Sequence, residues 1–164
     1  MQKEWRIIVT QGFFAGLIGY VIVALVIGVF DLVAGYPLLR TPAMFGEAMF
    51  YGLRDPAQVA IEPGPVFAFN GVHLIAFQVL GMAASWLAWM SEKGPQFWYI
   101  GSILFLLVIF HMFAAVLMVS SEIRAAVGAW QLLAAGFAAF VAMSLYLVGS
   151  RPKLRFELTH YRDE

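Results

Sequence analysis

Cysteine is absent from this chain, which excludes disulfides, iron–sulfur ligation and thiol chemistry. Charge is scarce: Asp, Glu, Lys and Arg make up 12% of 164 residues, and ten basic side chains cancel ten acidic ones. No basic block exists that could engage nucleic acid. Glycine-rich phosphate and dinucleotide fingerprints are missing, as are the His-x-x-His and His-Glu-x-x-His spacings of metal catalysis. Ser120 and Ser121 have no base and acid set around them, so a serine hydrolase is unsupported. Gln2 and the lack of cysteine exclude the usual lipid anchors. A catalytic activity of its own is therefore not expected.

What the chain does have is apolar length. Hydrophobic residues reach 62%, and the mean hydropathy is +0.83, outside the range of soluble proteins. Four apolar runs, at roughly 7–35, 66–90, 96–119 and 127–148, each match the ~20 residues that cross a bilayer's hydrocarbon core. Only helix satisfies the backbone of such segments in lipid. The expectation is an all-α membrane protein whose residues 1–164 form one integral membrane domain, with four transmembrane helices in an up-down-up-down bundle. The first run is too long for a signal-peptide core and lacks a cleavage site, so Met1 is read as the start of the mature protein.

Seven basic residues (Lys3, Arg6, Lys93, Arg151, Lys153, Arg155, Arg162) fall on the side of the two termini, against Arg40, Arg54 and Arg124 on the other. That bias predicts both ends in the cytoplasm or its equivalent, with a bacterial or organellar inner membrane as the setting. Ser91-Glu92-Lys93-Gly94-Pro95 reads as a tight inner turn. The outer segment 36–65 predicts a short interfacial helix begun by Thr41 as N-cap and Pro42, with Met44, Phe45, Met49 and Phe50 toward lipid or a partner. Asp55-Pro56 reads as a second cap. In the cytoplasmic tail 149–164, Leu154, Phe156 and Leu158 alternate with Lys153, Arg155 and Glu157. This period of two reads as a half-buried strand whose apolar face needs a partner's sheet edge or the lipid surface, the alternative being a loosely docked tail.

Small residues recur every three or four positions: Gly12, Gly16 and Gly19 in the first run, Gly81, Ala84, Ser85 and Ala88 in the second, and Ala135, Ala138, Ala139 and Ala142 in the fourth. They predict close helix contacts.

Only Asp31, His73 and His111 place ionisable side chains well inside the runs. A rise of about 1.5 Å per residue puts His73 and His111 at about 10 Å and about 12 Å below the outer surface. Asp31, Asn70, Glu122 and Gln131 fall in the same outer half, with Glu122 expected on the face of the third helix that carries His111. The inner half is read as nearly bare of polar groups.

Three uses of this polar cluster are open: a structural clasp between helices, axial ligation of haem b by His73 and His111, and a proton or quinone site. A chlorophyll-type pigment on a single histidine is a fourth, related option. The layout is similar to small helical membrane subunits of electron-transfer and photosynthetic complexes, a likeness of four helices without a residue-specific motif. It implies an accessory integral subunit whose partners are other membrane subunits and lipids.

Overall fold

The computed structural model describes residues 2–92, 97–118 and 120–160. Among them the chain forms seven α-helices: α1 Gln2–Val33, α2 Arg40–Phe50, α3 Pro63–Ser91, α4 Phe97–Leu117, α5 Ser121–Ala126, α6 Ala129–Gly149 and α7 Pro152–His160. A 3-10 turn at Pro56–Gln58 lies between α2 and α3.

Three of the helices are long and apolar enough to cross a bilayer among the described residues: Glu4–Val33, Pro63–Ser91 and Ala129–Gly149. Within the most apolar stretch of each, only 33%, 28% and 33% of the residues are buried inside the protein. Most of these side chains thus face outward, which hydrocarbon favours and water does not. The molecule has the character of a multi-pass helical membrane protein.

The expected clean bundle of four spanning helices is corrected. The third run yields α4, whose apolar stretch among the described residues is Ser102–His111, so three helices rather than four count as spanning among those residues. Three further short helices, α2, α5 and α7, occupy stretches read as interfacial, turn and strand.

Side-chain pairings give the helix directions. On α3, Gly81 lies against Gly12 and Gly16, Phe77 against Gly19, and Asn70 against Tyr20. On α6 and its C-cap, Ser150 meets Gln11, Met143 meets Gly19 and Trp130 meets Phe30. Hence α1 runs antiparallel to both α3 and α6. The start of α1 lies with the ends of α3 and α6, and α4 returns the chain between them, touching α6 through Phe105 and Phe140. Ala15, Phe77, Val108 and Met143, one from each of α1, α3, α4 and α6, are completely buried where these helices meet.

Glycine makes the α1–α3 seam. A Cβ on Gly16 would run into the Phe77 carbonyl, and one on Gly81 into the backbone of Gly12 and Gly16. Side-chain-free surfaces let the two backbones touch, the contact that replaces a hydrophobic drive in lipid. The predicted small-residue faces pack here, with Gly12, Gly16, Gly19, Gly81, Ala84, Ser85 and Ala88 all buried.

The reading of α2 is also corrected. Met44 is fully buried and Phe45 is 3% exposed, whereas Phe50 faces outward. The helix is tucked against the start of α3, where Gly46 leaves room for the Pro65 carbonyl. Thr41 lies inside α2 rather than capping it, because Leu39 holds the N-cap position. Asp55 does cap its turn, accepting from the Ala57 N–H at 2.9 Å.

The tail is a helix rather than a strand. Pro152 suits a first helical position, and a lone strand would leave its backbone groups without partners. Residues two apart lie on nearly opposite sides of a helix, so Leu154 is 3% exposed and Phe156 is 61% exposed. Lys93, Gly94 and Pro95 of the expected inner turn, and Arg162, lie outside the described residues, as does the side chain of Leu158.

Candidate functional site

The two intramembrane histidines meet. His73 on α3 and His111 on α4 stack with ring centroids 5.2 Å apart and planes 29° apart. Spacing of four residues on α3 places Phe69 on the other side of His73, stacked at 5.3 Å and 18°. Phe45 of α2 stacks on Phe69 in turn, at 5.4 Å and 24°. A ladder of four rings therefore runs from α2 through α3 to α4. Phe77 sets its edge to both histidines, at 5.0 Å and 5.2 Å.

Beside this ladder, α1, α2 and α3 enclose a cleft of about 270 Å³, closed toward α6 by Leu132. Phe45, Phe69 and His73 form one wall. Polar groups line it as well: Tyr20 donates to Asn70 Oδ1 at 2.9 Å, and Asn70 Nδ2 donates to the Val66 carbonyl at 2.8 Å. Among the described residues His73, 8% exposed, makes ring contacts but no hydrogen bond. His111 Nε2 is buried and without a hydrogen-bond partner among the described residues.

The remaining predicted site residues do not join the histidines. Asp31, 6% exposed, accepts from the Thr41 N–H at 3.0 Å and the Thr41 hydroxyl at 2.8 Å. Its carboxylate thereby holds the N-terminal turn of α2, where backbone donors lack helical partners. Gln131 turns back to accept from the Gly128 N–H at 3.2 Å, at the start of α6. Glu122 sits on α5 instead of continuing the His111 helix, because α4 ends at Leu117. It shares an open surface depression with Arg54, Asp55 and Ser120. Backbone hydrogen bonding, the Ser120 and Ser121 hydroxyls and the nearby Arg54 hold its carboxyl below the ordinary glutamate range.

Haem held between His73 and His111 does not fit this arrangement. Axial ligation needs each imidazole to point a ring nitrogen end-on at iron from opposite sides of a porphyrin plane. Stacked rings 5.2 Å apart show each other their faces, with no gap for a macrocycle. The cleft, below the ~300–1,000 Å³ of common ligand pockets, is likewise too small for a whole tetrapyrrole. Among the described residues no three His, Cys, Asp or Glu side chains converge on a metal position.

Sequence reasoning missed a second polar centre at the opposite end. Arg151, 4% exposed, donates through Nη2 to the Ser85 carbonyl at 3.2 Å and to Ser85 Oγ at 3.3 Å. Its Nη1 lies 3.3 Å from Glu92 Oε2, and Lys153 donates to the Glu92 carbonyl at 2.9 Å. The end of α3 is thus tied to the chain leaving α6. Arg151 looked like one more basic residue flanking a span, and no pattern in the sequence marks it as buried. Gln78, whose amide is buried without partners among the described residues, also places polarity in the half expected to be nearly bare. No protein family, curated protein or solved structure matches this chain.

Proposed function

We propose that the protein is a non-catalytic integral membrane subunit of a larger bioenergetic assembly, of the electron-transfer or photosynthetic kind, contributing helix-packing surface. One observation carries this reading: buried charge is engaged in clasps between the chain's own segments, while the perimeter is broadly apolar. Asp31 ties α1 to α2, and Arg151 ties the end of α6 to α3. Outside, Phe13, Phe14 and Leu25 on α1, Phe67 and Ile75 on α3, and Phe137 and Leu145 on α6 are exposed. Such faces suit neighbouring membrane subunits and lipid.

Both ends of the chain are assigned to the cytoplasmic side of an inner membrane. The basic-residue bias supports the side, and the Gln11–Ser150 hydrogen bond supports only that the start of α1 and the end of α6 lie together. Purification of the tagged full chain from its native membrane in mild detergent tests the proposal. The expected result is a complex of fixed stoichiometry with a reduced-minus-oxidised visible spectrum contributed by its partners. A stable chain recovered alone, with no redox-active companion, overturns it.

A further inference from the structure

The cleft beside the ring ladder combines three properties that suit a flat, polar-headed ligand arriving from the lipid. It has an aromatic wall, formed by the edges of the stacked Phe45, Phe69 and His73 rings that two helices contribute. It has unused hydrogen-bonding capacity: the His73 ring is without a hydrogen bond among the described residues, and Asn70 donates one amide hydrogen to Val66 and keeps the other. Its α1 side, at Val21, Ala24 and Leu25, is exposed along the apolar perimeter, so it opens sideways toward lipid rather than toward water. The His73 ring, with no hydrogen bond among the described residues and facing a cleft that opens to lipid, offers a donor that only a ligand there would match.

We propose that this cleft binds the head group of a membrane-soluble quinone. A quinone is a flat ring with carbonyl acceptors and an apolar tail, and each part has its counterpart here. The ring packs against the edges of Phe45, Phe69 and His73, whose faces are largely taken up by their own stack, in the edge-to-face manner that aromatic rings favour. A carbonyl accepts from His73 and from the free Asn70 amide hydrogen, whose orientation Tyr20 holds. The volume of about 270 Å³ takes the head group and leaves the tail to pass between Val21 and Leu25 into the bilayer. An acyl chain would fill the same space while leaving both donors unmatched, so it is the weaker occupant.

This inference rests on the membrane character of the chain and not on its having partner subunits, so the isolated protein tests it separately. The full chain in phosphatidylcholine nanodiscs is irradiated with an azido-benzoquinone carrying a decyl tail, and the labelled peptides are mapped. Saturable labelling of the α2 and α3 segments around Phe45 and Asn70 is expected, displaced by decyl-benzoquinone and not by dodecane. His73→Phe, which keeps a stacked ring and removes the donor, weakens it about tenfold, the worth of one hydrogen bond of ~1.4 kcal/mol. Ala24→Phe blocks the cleft from its lipid-exposed mouth without entering the core, and abolishes labelling even if His73→Phe does not fold. Labelling spread over outward residues such as Phe67 and Leu106, equal displacement by dodecane, or undiminished labelling of Ala24→Phe overturns the proposal.

Discussion

Gln78 is a clear residue-scale cost: both polar atoms of its amide are buried without a hydrogen-bond partner among the described residues. An unmatched buried amide is destabilising, so Gln78→Met, similar in volume and apolar, is expected to stabilise the fold by about 1–3 kcal/mol. Reversible unfolding in mixed detergent micelles measures this; an unchanged or lower stability would show that the amide has a hidden partner. Asp31 is the opposite case. Its two oxygens take both the amide and the hydroxyl of Thr41, and Asp31→Ala orphans both donors. A loss of about 1–3 kcal/mol is expected by the same reasoning, read in the same unfolding experiment, with hydrogen exchange accelerated in the first turn of α2. The sequence made Asp31 conspicuous as a charge in an apolar run, but its partner was not legible. Thr41 was ten residues away and looked like a cap in its own right.

Among the elements, α1 and α3 make the closest approach. Gly16 meets the carbonyl of Phe77 and Gly81 meets the backbone of Gly12. A larger side chain cannot enter without separating the helices, so Gly16→Leu should destabilise by about 1–3 kcal/mol or more. Gly71→Leu, at an open position of α3 where an added Cβ meets nothing within 4 Å, should be near neutral in the same unfolding assay. Equal effects of the two would remove the seam from the account. This seam was legible in the spacing of Gly12 and Gly16, because close approach of helices in lipid requires small residues whatever the partner. The short helices were not. Period two in 153–158 resembled a strand, yet with no neighbouring edge the backbone pairs within itself and α7 forms. The apolar face of α2 was equally suited to lipid and to α3, and only packing chose α3.

For the whole molecule, the two ends are fastened differently. One end relies on the Asp31–Thr41 clasp and α2, the other on Arg151 with Ser85 and Glu92. Arg151→Met is expected to lower stability by about 1–3 kcal/mol, the cost of the hydrogen bonds lost at Ser85 together with the partly exposed pair to Glu92. Limited proteolysis should then cut near α7 before any other site, and unchanged cleavage would mean that the clasp does not hold the tail. Composition and run length alone determined that this chain is helical and belongs in a membrane, because burying an unpaired backbone or exposing such apolar length to water is too costly for any other outcome. Depth along the helices also set His73 and His111 at a common level. Only the tertiary structure decided that their rings stack, that Phe45 and Phe69 extend the ladder, that Glu122 stands apart, and that Arg151 is interior. Rotation about a helix axis, and the choice of neighbour, depend on packing between distant segments, and the pattern within any one segment leaves them open.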